Sequence, residues 1–119
     1  MVSTIMVVLV FGLGCGDDRP PGTAGNDSTL VGGPCIDNGS CDFGLCQAGP
    51  SFPGSLCTSS CGSSNDCPSQ SSCAQLESGW VCLVNCVETA DCREQWTCGS
   101  QVEAGTSGRE VTVCLGPTE

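Results

Sequence analysis

Thirteen cysteines among 119 residues are the side chains here with chemistry to offer. That chemistry is one of three kinds: a redox pair, metal-thiolate ligation or structural disulfides. A redox pair needs a reactive C-x2-C beside a helix N-terminus. Zinc sites favour C-x-C or C-x2-C, because one short loop must bring two thiolates to one ion. Neither spacing occurs; the tightest pairs are C-x3-C and C-x4-C, and there is no His to assist. The cysteines are therefore expected to form disulfides, which persist in an oxidising compartment.

Other catalytic material is scarce. The chain lacks His, Lys and Tyr, so the usual general bases, Schiff-base amines and phenol acids are missing. Its serines have no base to activate them, which removes a triad. Asp66 and Asp91 sit in short, wet loops without the burial that raises a carboxyl pKa. Asp37-Asn38-Gly39-Ser40 with Asp42 is the best oxygen cluster for calcium, but it reads more simply as a turn. No enzyme activity, cofactor or metal is expected. A net charge of −10, with three Arg as the only cations, also disfavours nucleic acid and anionic lipid surfaces as partners.

What positions the cysteines is a repeat. From Cys57 to Cys98 the chain reads C-x3-C-x5-C-x5-C-x8-C-x3-C-x5-C-x5-C, one spacing stated twice. Extending it in both directions gives three four-cysteine units: Cys35, Cys41, Cys46 and Cys57; Cys61, Cys67, Cys73 and Cys82; Cys86, Cys92, Cys98 and Cys114. Asp66 and Asp91 each precede a second cysteine. Gly54 and Gly79 each stand three before a fourth. The expected fold class is small and disulfide-rich, with three tandem four-cysteine modules at 35–57, 61–82 and 86–114. Short β-hairpins are expected, and little helix apart from the signal segment.

Four cysteines allow three connectivities per unit, and spacing does not decide among them. The crossed order is favoured because it closes two overlapping loops: Cys35–Cys46 and Cys41–Cys57, Cys61–Cys73 and Cys67–Cys82, Cys86–Cys98 and Cys92–Cys114. Covalent closure matters, because only 23 apolar residues other than Cys occupy the 105 positions from Cys15 to Glu119. So few cannot offset chain ordering at about 1–2 kcal/mol per residue.

The x5 loops CGSSNDC and CVETADC predict tight turns held by Asp66 and Asp91. Gly79–Val84 and Glu110–Leu115 are β-prone. The latter pairs with about Trp96–Val102 across a loop at Ala104–Gly108. Trp80, Trp96, Phe43 and Phe52 are expected to cover disulfides as miniature module cores, with Trp96 the more exposed Trp.

Met1–Gly14 is an apolar stretch of signal-peptide length, too short to span a bilayer. It ends at Gly12-Leu13-Gly14-Cys15. Removing Cys15 from the count leaves twelve cysteines, an even number for pairing. The stretch resembles the lipobox of bacterial lipoproteins, which implies that Cys15 is lipidated; the alternative is an ordinary secretory signal with Cys15 a spare thiol. Residues 15–34 then form a lipidated cysteine and a flexible Gly/Pro-rich tether. Asn26-Asp27-Ser28 and Asn38-Gly39-Ser40 match the glycosylation pattern by chance.

A lipobox-like cysteine, a Gly/Pro tether and C-x3-C-x4-Asp-Cys-x5-C repeats resemble the cysteine-rich repeat lipoproteins of myxobacteria-like Gram-negative bacteria. The units are also loosely similar to the Dickkopf N-terminal cysteine-rich region and other knottin-like modules. Such proteins place Gly between the second and third cysteines. Gly44 matches, whereas Gln70 and Gln95 stand there in the later units. The resemblance implies an outer-membrane lipoprotein held to the membrane by an N-terminal lipid anchor. It would act as a structural or binding module, with a protein or glycan as ligand. The alternative is a secreted knottin-like inhibitor or toxin-like protein presenting Arg109 from the Gly99–Val113 loop.

Overall fold

The computed structural model describes residues 22–77 and 79–117. The expected signal segment 1–14, the expected lipidation site Cys15 and residues 16–21 of the expected tether lie outside the described residues. Each four-cysteine unit is a single 3-10 turn followed by an antiparallel hairpin. The turns are Asn38–Ser40, Ser64–Asp66 and Thr89–Asp91. Strands β1 (Leu45–Gln47) and β2 (Leu56–Thr58) form the first hairpin. Strands β3 (Ser71–Leu76) and β4 (Gly79–Val84) form the second. Strands β5 (Thr97–Val102) and β6 (Glu110–Leu115) form the third. The fold is thus a small disulfide-rich one built from short hairpins.

The second cysteine closes each turn, and the turn chemistry repeats. Asp66 accepts the N–H groups of Gly62 and Ser63 at 2.8 and 3.3 Å. Asp91 accepts those of Val87 and Glu88 at 2.9 and 3.1 Å. The first unit has Ser40 at that position, and Asp37 caps its turn instead by accepting the Ser40 N–H. After each turn the chain reverses through a left-handed residue three positions past the second cysteine. Gly44, Gln70 and Gln95 occupy it with φ of 73°, 69° and 76°. The Gln residues therefore keep the turn that Gly makes in the first unit, at the steric cost of a Cβ in that region.

Neighbouring units share strands. The Cys57 N–H donates to Gly33 O at 2.9 Å, and the Cys82 N–H to Ser59 O at 3.0 Å. Ser60 bridges Val81, and Asn85 bridges Val113. Each unit thus takes the chain just before its first cysteine as a third strand along its hairpin. For the second and third units that chain is the continuation of β2 and β4. For the first unit it is the end of the stretch read as tether.

The tether expectation is corrected over Gly22–Gly33. This strap bridges module 2 at Thr23–Ser69 and buries Ala24 and Val31 against Cys67, Cys73 and Cys82. Its Gly/Asp/Ser composition serves turns, with Gly25 and Gly33 bonded to Val31 and Ser28 respectively. The miniature-core expectation is corrected as well. Phe52, Leu56, Ala74, Leu76, Val81, Leu83, Trp96, Val113 and Leu115 form one core shared by all three units. Pooling is the physical solution for units that each hold too few aliphatics to bury one another.

Candidate functional site

The sulfurs come first. Six disulfides join the first cysteine of each unit to the third and the second to the fourth, with Cα–Cα distances of 5.3–6.0 Å. The hairpins explain the crossing. Cys46 faces Cys57, Cys73 faces Cys82 and Cys98 faces Cys114 across each ladder. Opposed residues share a face, so each hairpin turns two sulfurs toward the loop that carries the other two. Three clusters of sulfurs lie close enough to hold an ion, among them Cys61, Cys67 and Cys82. Each of those sulfurs is already bonded to carbon and sulfur, so none is a thiolate ligand.

A residue that sequence reasoning missed seats each third cysteine. Asn38 Oδ1 accepts the Cys46 N–H at 2.8 Å, Ser64 Oγ the Cys73 N–H at 3.1 Å and Thr89 Oγ1 the Cys98 N–H at 3.2 Å. All three stand three residues after a first cysteine. A short polar side chain at that register in every unit was the available signal.

The oxygen groups considered for calcium or acid–base work are occupied locally. Asp37 Oδ1 holds the Ser40 N–H and hydroxyl, and Asp42 Oδ2 accepts from Thr29 Oγ1. Asp66 and Asp91 serve their turns. The Asp91 carboxyl is held below its ordinary pKa by the Val87 and Glu88 N–H groups, with desolvation opposing. Asn26 Nδ2 donates to Asp91 O, so this amide too has a structural use.

The densest polar contact is at the junction of units one and three. Arg93 donates to the carbonyls of Pro53, Ser55 and Gly32 at 3.0, 2.8 and 3.2 Å. Its guanidinium lies 5.3 Å from the Trp96 ring centroid. Gly54, with φ of 75°, lets the loop pass beneath it; a Cβ there would meet Nη2 at 2.6 Å. Burial lowers the Arg93 pKa and Asp27 opposes this, so the group stays a cation. Gly116 closes the same junction by packing against Ser51 O. The site works as a mechanical keystone between the two units.

The two Trp residues are placed opposite to the expectation. Trp96 is 3% exposed and Trp80 is 37% exposed. Phe52 is buried beside Trp96, while Phe43 is partly open. Trp96 is buried because a loop more than forty residues earlier covers it, which its own x5 loop does not reveal. The β5–β6 loop does not stand free either. Ala104 N–H donates to Cys73 O at 3.0 Å, Glu103 accepts from the Ser64 hydroxyl, and Arg109 Nε lies 3.5 Å from Glu103 Oε1. The Arg109 side chain remains 74% exposed.

Two open concavities lie on the surface of modules 2 and 3. One, of about 410 Å³, involves Asn85, Glu103, Arg109 and Thr112. The other, of about 340 Å³, lies at the β3–β4 tip beside Gln75, Leu76, Glu77 and Gln101. No family model, curated protein or solved structure matches the chain.

Proposed function

We propose that this chain is a lipid-anchored, disulfide-stapled protein of the cell envelope that acts as a binding or structural module and not as an enzyme. The observation that supports it most is the bookkeeping of sulfur. The twelve cysteines from Cys35 to Cys114 bond to one another, which leaves Cys15 as the single cysteine outside the bridges. That cysteine directly follows the apolar run of a signal segment. Six residues, 16–21, separate it from the strap that begins at Gly22. At about 3.3–3.6 Å per residue, the body would sit within about 25 Å of its anchor.

The test is the intact mass of the protein extracted from membranes. Cleavage before Cys15, added acyl mass and an absence of free thiols are expected. Cys15→Ser should release the protein from the membrane fraction. A wild-type protein that is soluble and unacylated would overturn the reading. The second reading, a secreted inhibitor, draws on the exposure of Arg109. Inhibition of trypsin-like proteases at micromolar protein, lost in Arg109→Ala, would favour it.

A further inference from the structure

We propose that the β3–β4 tip is a glycan-binding site, with Trp80 stacking on a neutral sugar ring and Gln75, Glu77 and Gln101 bonding its hydroxyls. The proposal rests on the reading of the chain as an envelope binding module and supplies its ligand class. Trp80 is the one Trp left open, on a molecule so short of apolar residues that its core is pooled among three units. Gln75 lies directly across the ladder from it. Opposed residues place their Cβ atoms about 5 Å apart on one face. Gln75 also borders the concavity of about 340 Å³ that continues to Glu77 and Gln101. Among the described residues, no hydrogen bond engages the side-chain amides of Gln75 and Gln101 or the carboxylate of Glu77.

The placement points outward. The strap that leads from the anchor joins module 2 at Ser69, beside the base of β3. Trp80 is at the other end of that hairpin, about 20 Å away at about 3.3 Å per residue. The chemistry selects the class. An indole face takes the apolar C–H side of a pyranose, and an amide both donates to and accepts from hydroxyls. A net charge of −10 disfavours acidic polymers. A single open ring among amides is far from the roughly 1,000 Å² that a stable protein interface buries.

The test titrates the full mature protein with soluble cellohexaose, chitohexaose, xylohexaose and mannohexaose while following Trp emission and acrylamide quenching. Trp96 is buried, so a changed signal reports Trp80. A blue shift with reduced quenching by at least one of these sugars is expected. Affinity in the variants, followed by titration calorimetry because Trp80→Ala removes the reporter ring, should weaken at least tenfold in Trp80→Ala and several-fold in Gln101→Ala, each first shown by intact mass to hold six disulfides. An unmoved signal with all four sugars, or full binding by Trp80→Ala, would overturn the proposal. So would a tip that binds only a protein. Membrane anchoring is scored separately: Trp80→Ala should stay in the membrane fraction, and soluble Cys15→Ser should still bind sugar.

Discussion

The indole N–H of Trp96 donates to the carbonyl oxygen of Pro53 at 3.0 Å, joining the third unit to the first. The same carbonyl also accepts from Arg93 at 3.0 Å. One backbone oxygen thus receives a neutral and a cationic donor across the junction, while Phe52 packs on the indole with ring centroids 6.2 Å apart.

Trp96→Ala should therefore cost about 3–5 kcal/mol, the usual range for deleting a buried Trp. Trp96→Phe keeps much of the packing and leaves Pro53 O its bond from Arg93, so losing the second donor should cost only about 1 kcal/mol. Chemical denaturation of the oxidised protein checks both. A loss under 1 kcal/mol for Trp96→Ala would mean that the junction carries little stability.

Arg93→Lys should behave as a disruptive change. A planar fork serves three carbonyls and the ring at once, and an ammonium cannot reproduce that geometry. A loss of about 2–3 kcal/mol is expected, in line with charge-assisted bonds. Limited proteolysis should then cut the Ser51–Ser55 loop faster than in the parent. Parent-like proteolysis would count against the keystone assignment.

The left-handed turns make an opposite prediction. Gln70→Gly and Gln95→Gly relieve a non-glycine residue held at positive φ, and both side chains are exposed. The relief of about 1–2 kcal/mol exceeds the entropy added to the unfolded chain, so each should stabilise by about 0.5–1 kcal/mol. Gly44→Ala should destabilise by about 1 kcal/mol. Melting temperatures at fixed pH decide the signs.

Asp91 makes a prediction in pH. Its folded pKa is lowered by the Val87 and Glu88 N–H groups, so the folded state favours the ionised form. The associated stability is complete well above 3.8, the group's ordinary value, and is lost as pH falls through the lower folded value. Asp91→Asn should flatten the acid limb of a melting curve series between about pH 2 and 5. An unchanged acid limb would show that the turn does not report on folding.

Much of the fold was legible because it is local. The repeated cysteine spacing marks three units, and Gly79–Val84 and Glu110–Leu115 are strands over the very residues whose β-prone runs suggested them. Asp66 and Asp91 hold their turns through neighbours within four residues. What could not be read depends on distant chain. Trp96 and Trp80 are exchanged in exposure because Phe52 and Pro53 cover the first, while the second, near the hairpin tip, keeps 37% of its surface open. Gly22–Gly33 looked like linker because two of its three apolar residues, Ala24 and Val31, find their cover on module 2. At the proposed sugar site, Gln75 and Gln101 carried no signal, since amides on two separate hairpins have no telltale interval.

Because β2 and β4 run on to become the outer strand of the next hairpin, the heritable piece of this protein is not bounded by its cysteines. A duplication event that copied Cys61 to Cys82 alone would deliver four sulfurs without the Ser59–Ser60 backbone that the new copy has to pair with. The viable cassette starts two positions upstream, and a graft or deletion cut at that offset should leave its neighbours whole.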